Sequence, residues 1–327
     1  MSSAPRRLAP PDRLATSARP GARAHIVAPK TMTIGIIGAG RVGAVIGAAL
    51  IRAGHNVSSA SGVSTASKAR IAGLLPGARR KAAHEVPAGV DLVVIAVPDD
   101  ALAGLVAGLV EAGSIRPGQI VAHTSGAHGV GVLAPAVAAG AHPFALHPAM
   151  TFTGQSGDLD RLEEGISFGV TAPEALRPLA TRLVADLGGT PEWVPEEARP
   201  LYHAALAHGA NHLVTLVNEA MDRLRDAGVV HPERVLAPLL RASLENTLRY
   251  GDAALTGPVS RGDAGTIARH LATLRSTAPE SVPVYLALAR RTADRAIAAS
   301  RLRPLDAEPL LGVLADDQAE VPPSLRR

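Results

Sequence analysis

Two hydrophobic periods divide the chain. Over roughly its first 195 residues, short unbroken apolar runs each lead into a polar or glycine-rich turn, as in TIGII before GAGRVG, DLVVIAVP before Asp99-Asp100 and GQIVAH before TSGAHG. Runs of that length, rich in Val and Ile, mark strands buried on both faces of a parallel sheet. Between them lie stretches with helical spacing, AVIGAALIRAG and APEALRPLATRLVADLGG. AHPFALHPAM (141–150), SFGVTA (167–172) and TPEWVP (190–195) read as further strands, so the alternation predicts a doubly wound α/β sheet reaching to about residue 195. After Pro195-Glu196-Glu197 the period changes. Acids open a helix, apolar residues recur at Leu213, Leu216, Val217, Met221 and Leu224, and Gly228 closes it. PERVLAPLLRASLENTLRY, GDAGTIARHLATL and PVYLALARRTADRAIAAS continue the helical pattern with no strand between them. The expected organisation is a tail over 1–31, an α/β domain over 32–196, an all-α domain over 197–316 and a flexible C-terminus over 317–327.

The sharpest signal lies at the first strand. Gly38-Ala39-Gly40-Arg41-Val42-Gly43 stands between TIGII and a helix ending at Gly54, in a unit that closes on a second strand near HNVSSAS. In a GxGxxG so placed, the first glycine permits a tight turn, the second lets the backbone approach a pyrophosphate, and the third packs helix on strand; the phosphates then meet the helix N-terminus. A Rossmann dinucleotide-binding domain is therefore expected, with Gly38, Gly40, Arg41, Val42 and Gly43 at the cofactor. NAD sites place an acid about 20 residues on, at the ribose 2′-hydroxyl. Here Ser58-Ser59-Ala60-Ser61-Gly62-Val63-Ser64 is followed by Lys68 and Arg70, with no acid between Ile51 and Leu75. Hydroxyls and cations suit a 2′-phosphate that a carboxylate would repel. The expected cofactor is NADP(H), with Ser59, Ser61 and Lys68 among its contacts and Val97 and Pro98 beside it at the next strand end. Asp99 and Asp100 are expected to cap the following helix and meet its dipole.

Composition removes whole classes of function. Without cysteine there is no disulfide, thiolate zinc site or cysteine nucleophile. Three Phe, three Tyr and one Trp make no base-stacking platform for single-stranded nucleic acid. No apolar run reaches the roughly 18 residues of a membrane span. The net charge of +4 suggests an anionic partner until it is located: Arg6, Arg7, Arg13, Arg19, Arg23 and Lys30 oppose Asp12 alone within residues 1–31, leaving −1 for the rest. The basic signal belongs to a tail, so neither nucleic acid nor membrane is an expected partner. That tail mixes Pro, Ala, Ser and Arg without apolar period and is expected to be disordered. It lacks the apolar stretch of a secretory signal, although its Arg-rich, acid-poor character matches an organelle transit peptide. Met32, directly before TIGIIGAG, is a candidate start, and the expected location is the cytoplasm.

Candidate chemistry comes from histidines. The only lysines are Lys30, Lys68 and Lys81, so none in the helical half can protonate a substrate carbonyl. Histidine, with an ordinary pKa near 6.5, is the natural acid. His123 in HTSG and His147 in LHP stand at strand C-termini, where doubly wound sheets place ligands. At about 100° per residue, His208, Asn211 and Thr215 share one helix face with His203 flanking it, and that face carries neutral hydrogen-bonding groups and Gly209, as the wall of a polar pocket would. The expected reaction is hydride transfer from NADPH to the carbon of a C=O or C=N group, with Ser125 and Asn211 orienting the heteroatom and a histidine, His147 or His203, supplying the proton. His123, His208, Thr256, Gly257, Pro258 and Arg261 are candidate substrate contacts, and Asp263 is a candidate helix cap. A Ser–His hydrolase is disfavoured, because no nucleophile elbow surrounds Ser125 and the glycine loop would go unexplained. No metal site is expected: HEXXH is missing.

Taken together, IGAGRVG, LVVIAVPDD, HTSGAHG, LHPAMTF, YHAALAHGANHLVTL and LTGPVSRGD resemble, over about residues 32–316, bacterial proteins with a Rossmann-like N-terminal domain and a C-terminal DUF2520 domain. These are relatives of the 6-phosphogluconate dehydrogenase, pyrroline-5-carboxylate reductase and F420-dependent NADP reductase group. The resemblance implies an NADP-linked oxidoreductase acting on a small molecule, and a homodimer through the helical domain. It puts Gly38, Gly40 and Gly43 at the cofactor, and Ser125, His147, His203, Asn211 and Thr256 to Pro258 at the cleft. Some relatives are associated with ketopantoate reduction. Ketopantoate reductases of the better-known type use a helical-domain lysine, which this chain lacks. A NADP(H)-binding sensor without turnover and an F420-linked NADP reductase are the alternatives.

Overall fold

The computed structural model describes residues 29–315. The expectations for residues 1–28 and from 316 onward lie outside these. Contacts divide the chain between His208 and Gly209 into two compact units.

The first unit is built on eight strands: β1 (Thr33–Ile37), β2 (Asn56–Ser61), β3 (Arg79–Arg80), β4 (Leu92–Ile95), β5 (Ile120–His123), β6 (His142–Pro148), β7 (Ser167–Thr171) and β8 (Thr190–Trp193). They form one sheet in the order β3-β2-β1-β4-β5-β6-β7-β8, parallel except where β7 runs against β6. Its helices are α1 (Arg41–Arg52), α2 (Thr65–Leu74), α3 (Asp99–Glu111), α4 (Ala134–Ala138), α5 (Gly157–Glu163), α6 (Arg177–Asp186) and α7 (Arg199–Leu206). Strand alternation explains why both faces are covered. Leu92 and Val94 join a core with α1, α5 and α6, while Val93 and Ile95 join a second core with α3 and α4. A parallel sheet needs this double cover, and its strands read as unbroken apolar runs for that reason. The expected doubly wound fold followed by helices is the fold observed; the two-residue β3 and the reversed β7 were not anticipated.

Two local expectations are corrected. Pro98 occupies the N-cap of α3 without any side-chain bond, and Asp99 and Asp100 fall in the first turn. They sit at the positive end of the helix dipole but do not cap it. Further on, the helix entered at α7 passes through a π turn, Ala207–Asn211, before continuing as α8 (His212–Asp226). A π turn closes i to i+5 bonds and inserts an extra residue. The uniform 100° step used to set His203 beside the face of His208, Asn211 and Thr215 therefore does not hold across it.

The second unit contains α8, α9 (Pro232–Tyr250), α10 (Gly257–Ser260), α11 (Ala264–Thr277), α12 (Val282–Ala298) and α13 (Pro304–Ala315). Its core lies between α11, α12 and α13, around Leu271, Leu286 and Leu310. The apolar stripe of α8 and α9 is outside that core: Leu213, Val214, Leu239, Leu244 and Leu248 are all exposed. An open groove of about 900 Å³ runs past it, lined by Leu216, Leu224, Leu239, Val259, Tyr285 and Leu288.

Candidate functional site

The glycine turn has the geometry its spacing requires. Gly38 has φ +88°, and a Cβ there would stand 2.6 Å from the Ala96 carbonyl oxygen. A Cβ on Gly43 would stand 2.3 Å from the Gly38 carbonyl oxygen, so α1 packs this closely on β1 only with glycine. Gly40 differs: a Cβ would meet nothing nearer than 4.0 Å. The space beside it is open, no side chain caps α1, and no acid lies in its first turn. These features suit a polyphosphate at the helix N-terminus. Ser61 holds the turn, its Oγ 3.3 Å from the Gly38 amide that donates to it. Ser59 is corrected: it is 1% exposed and donates to the Val86 carbonyl, two residues short of the strand end where a ligand would lie.

Cations gather nearby. Lys68 is exposed on α2, and Arg70 turns toward Arg41 across Gly154, where a Cβ would stand 2.5 Å from Arg70 Nε and 3.1 Å from Arg41 Cα. The fully buried Asp158 carboxylate fixes that loop, accepting from the Thr153 and Gly154 amides at 2.8 and 2.7 Å. Among the described residues, no carboxylate pairs with Arg41, Lys68 or Arg70. The sequence reading missed Gly154 and Asp158, whose only signal is a glycine four residues before an acid.

Beyond the C-terminal ends of β5 and β6, a polar cluster surrounds a buried arginine. Arg199 has no exposed surface; it donates to Thr171 Oγ1 at 2.8 Å and to the carbonyls of Gly169, Ala145 and Ser125 at 3.0, 3.2 and 3.4 Å. Its partners are all neutral, and burial lowers its pKa. His147 stands beside it. Burial first, then the charges of Arg199 and His203, push the His147 pKa down to about 4, so the ring is neutral at pH 7. Its Nδ1 is 3.0 Å from the Tyr202 hydroxyl, and its ring meets that of His203 edge-on at 6.1 Å. Gly126 lies under both: a Cβ would stand 2.8 Å from His203 Cδ2 and 3.0 Å from His147 Nε2.

His123 is corrected as a substrate contact. It is 0% exposed, with Nε2 2.8 Å from the Gly129 carbonyl and Nδ1 accepting the Ser125 amide at 3.2 Å. Both nitrogens are spent on shaping the turn, and burial pushes its pKa down to about 4. Ser125 is 6% exposed, its Oγ accepting the His128 amide. The sequence reading missed Arg199 and Tyr202. Their i, i+3 spacing, with His203 at i+4, places all three on one helix face.

The two halves of this cluster belong to different domain families. A Rossmann-like domain matches residues 18–148, and the domain of unknown function DUF2520 matches residues 166–292. The chain carries a Rossmann-like domain joined to a DUF2520 domain. Ser125, Gly126 and His147 come from the Rossmann-like match, and Arg199, Tyr202 and His203 from the DUF2520 match. Among solved structures, a candidate NADP oxidoreductase from Bacteroides fragilis aligns with TM-score 0.67 at 22% identity, over 81% of this chain and 99% of that one. A reductive aminase from Aspergillus terreus, in complex with NADPH and ethyl levulinate, aligns with TM-score 0.56 at 18% identity, over 83% and 95%. Pyrroline carboxylate reductase from Plasmodium falciparum, with NADP bound, aligns with TM-score 0.53 at 11% identity, over 82% and 100%. At these identities the likeness is one of fold. None of the curated proteins matches the chain.

The remaining candidates lie further along the DUF2520 match. His208 is exposed within the π turn. In the second unit, Asn211 is exposed and its side chain makes no cap bond to α8. Thr256 and Pro258 line the 900 Å³ groove, Gly257 has φ +90°, and Arg261 ends α10. Asp263 caps α11 as expected, accepting the Thr266 amide at 3.0 Å, and that bond holds its carboxyl below the usual range. Among the described residues, no group of three or more His, Asp or Glu is placed to hold a metal, and no helix is long and apolar enough to cross a membrane.

Proposed function

We propose that the chain is an NADP(H)-dependent oxidoreductase that reduces a small polar carbonyl compound, such as a ketopantoate-like 2-oxo acid, or an imine. The observation that carries this reading is the neutral His147, at the carboxyl edge of a sheet whose glycine turn leaves room for a pyrophosphate at Gly40. Carboxyl edges of parallel strands are where such folds bind ligands.

The Gly38 to Gly43 turn and the α1 N-terminus would hold the pyrophosphate, while Ser61, Lys68, Arg70 and Arg41, unopposed by an acid among the described residues, would hold the 2′-phosphate. When bound, the cofactor supplies a hydride. His147, a neutral imidazole, would hydrogen-bond the substrate heteroatom and orient it, and His203 beside it would supply the proton that balances the hydride. The roles proposed for Asn211, Thr256, Gly257 and Pro258 rest on the motif resemblance, and that of Arg261 on its charge, which suits an anionic substrate. A second copy of the chain is the proposed partner, supported by the exposed leucines of α8 and α9.

A panel of 2-oxo acids, ketopantoate among them, and cyclic imines, including 1-pyrroline-5-carboxylate, tests the proposal. NADPH oxidation is expected with at least one member, and NADPH should bind about tenfold or more tightly than NADH. Tight NADPH binding with no turnover throughout would replace the enzyme with a sensor, and turnover with F420 alone would make it an F420-linked reductase.

A further inference from the structure

We infer that Tyr202 is a positioning residue for the proposed reduction: its phenol donates to His147 Nδ1 and so holds the ring as the tautomer whose Nε2–H opens over Gly126, a neutral donor for a carbonyl oxygen or imine nitrogen. The inference rests on the proposed reading of this site.

A neutral imidazole has one N–H and one bare nitrogen, so the 3.0 Å contact between Tyr202 and Nδ1 has two possible directions. The surroundings select one. The Tyr202 phenol lies against the Gly169 backbone, and only glycine there admits it, since a Cβ would stand 2.4 Å from the phenol oxygen. A phenol has one proton to place, and a bare ring nitrogen is a good acceptor for it. Among the described residues, His147 Nδ1 is the only such acceptor with which Tyr202 bonds. In the reverse direction, the phenol proton would be left unpaired in a half-buried site, which costs free energy. Burial also raises the Tyr202 pKa, keeping that proton in place.

The far side of the ring completes the argument. Nε2 has no partner among the described residues, and the space in front of it is kept clear by Gly126, where a Cβ would lie 3.0 Å away. Arg199 exerts the strongest charge effect on the His147 ring, and its guanidinium stands 5.7 Å from the Tyr202 ring centre. A cation there disfavours protonation of the imidazole and leaves hydrogen-bond donation as its contribution. The site thus recognises a neutral acceptor atom through a nitrogen whose orientation is set from behind.

The test is long-range proton–nitrogen NMR on the full chain labelled with 15N-histidine at pH 7.5, without substrate or cofactor, with His147 assigned through its ring correlations and by His147→Gln. The expected spectrum has a bare Nδ1 and a protonated Nε2, and Tyr202→Phe shifts the Nδ1 resonance. A wild-type Nδ1–H tautomer, or an Nδ1 resonance unmoved by Tyr202→Phe, overturns the inference. In turnover, Tyr202→Phe should lower kcat about tenfold, the equivalent of one hydrogen bond, with NADPH affinity unchanged. The spectrum needs no reaction, so the expected tautomer with an inert panel condemns only the proposed function, and turnover with the wrong tautomer condemns only the role of Tyr202.

Discussion

Gly129 leaves open the space that the Glu196 carboxylate occupies: a Cβ on residue 129 would stand 2.0 Å from Glu196 Oε2. That carboxylate accepts the amides of Val130 and Gly131 at 2.7 and 2.9 Å, tying the turn after β5 to the start of α7. Because the obstructing atoms are the end of a flexible side chain, Gly129→Ala should displace Glu196 and leave the backbone in place. Gly129→Ala and Glu196→Ala are each expected to cost about 1 kcal/mol in urea unfolding, and the double variant little more. Additive costs would show that the two residues act separately.

Arg199 should couple stability to the histidines. Arg199→Met takes the donor away from three carbonyls and leaves Thr171 Oγ1 only its bond to the Val194 carbonyl, a loss on the order of 3 kcal/mol. It also removes a cation that depresses both neighbouring rings, so His147 and His123 should titrate above about 4. NMR titration of the ring protons reads this directly; unchanged midpoints would mean that burial alone sets them.

Stability should fall in mild acid. The folded-state pKa of His123 is depressed to about 4 from an ordinary 6.5, so the unfolded chain binds more protons between those values. The contribution is fully present above pH 6.5, declines as pH falls to about 4, and is level below. For His123 alone the loss is on the order of 3 kcal/mol. Urea melts across pH 4–8 should show the decline, and His123→Gln should remove its share while leaving the share of His147, which is depressed to about the same value.

The two inner glycines of the phosphate turn should separate folding from binding. Gly43→Ala pushes a methyl group against the Gly38 carbonyl, and both melting temperature and NADPH affinity are expected to drop. Gly40→Ala meets no neighbour within 4.0 Å, so its melting temperature should hold while NADPH affinity falls about tenfold or more. Equal affinity in Gly40→Ala would move the pyrophosphate elsewhere.

The exposed leucines on opposite faces of α9 should report association. Leu239 and Leu248 are 61% and 80% exposed, more than a solitary helix face gains from leucine. Light scattering is expected to give a dimer for the wild type and a monomer for Leu239→Asp with Leu248→Asp. A monomeric wild type at micromolar concentration would contradict the second copy as partner.

Strands, helices and the glycine turn were legible along the chain because each depends on neighbours within a few residues: alternation set by the pleat, helical period, and a positive φ at Gly38. The same locality made His147 and His203 visible as candidates and Asp263 readable as a cap. It misjudged Asp99, where Pro98 took the cap, and gave no sign of the π turn at Ala207–Asn211, which changes hydrogen bonding without changing hydrophobic content.

What the chain determined by itself was the alternation of elements and the presence of a phosphate turn with cations and no acid behind it. Which polar side chains met was decided only by the tertiary structure. Arg199 bonds to groups 28, 30, 54 and 74 residues away, Tyr202 finds His147 across 55, and His123 and Ser59 are withdrawn into the interior. The reason is physical: a hydrogen bond over such separations depends on where strands and helices have packed, and no local period records that. The neutrality of His147 follows likewise from burial beside a cation that arrives on α7, 52 residues further along the chain.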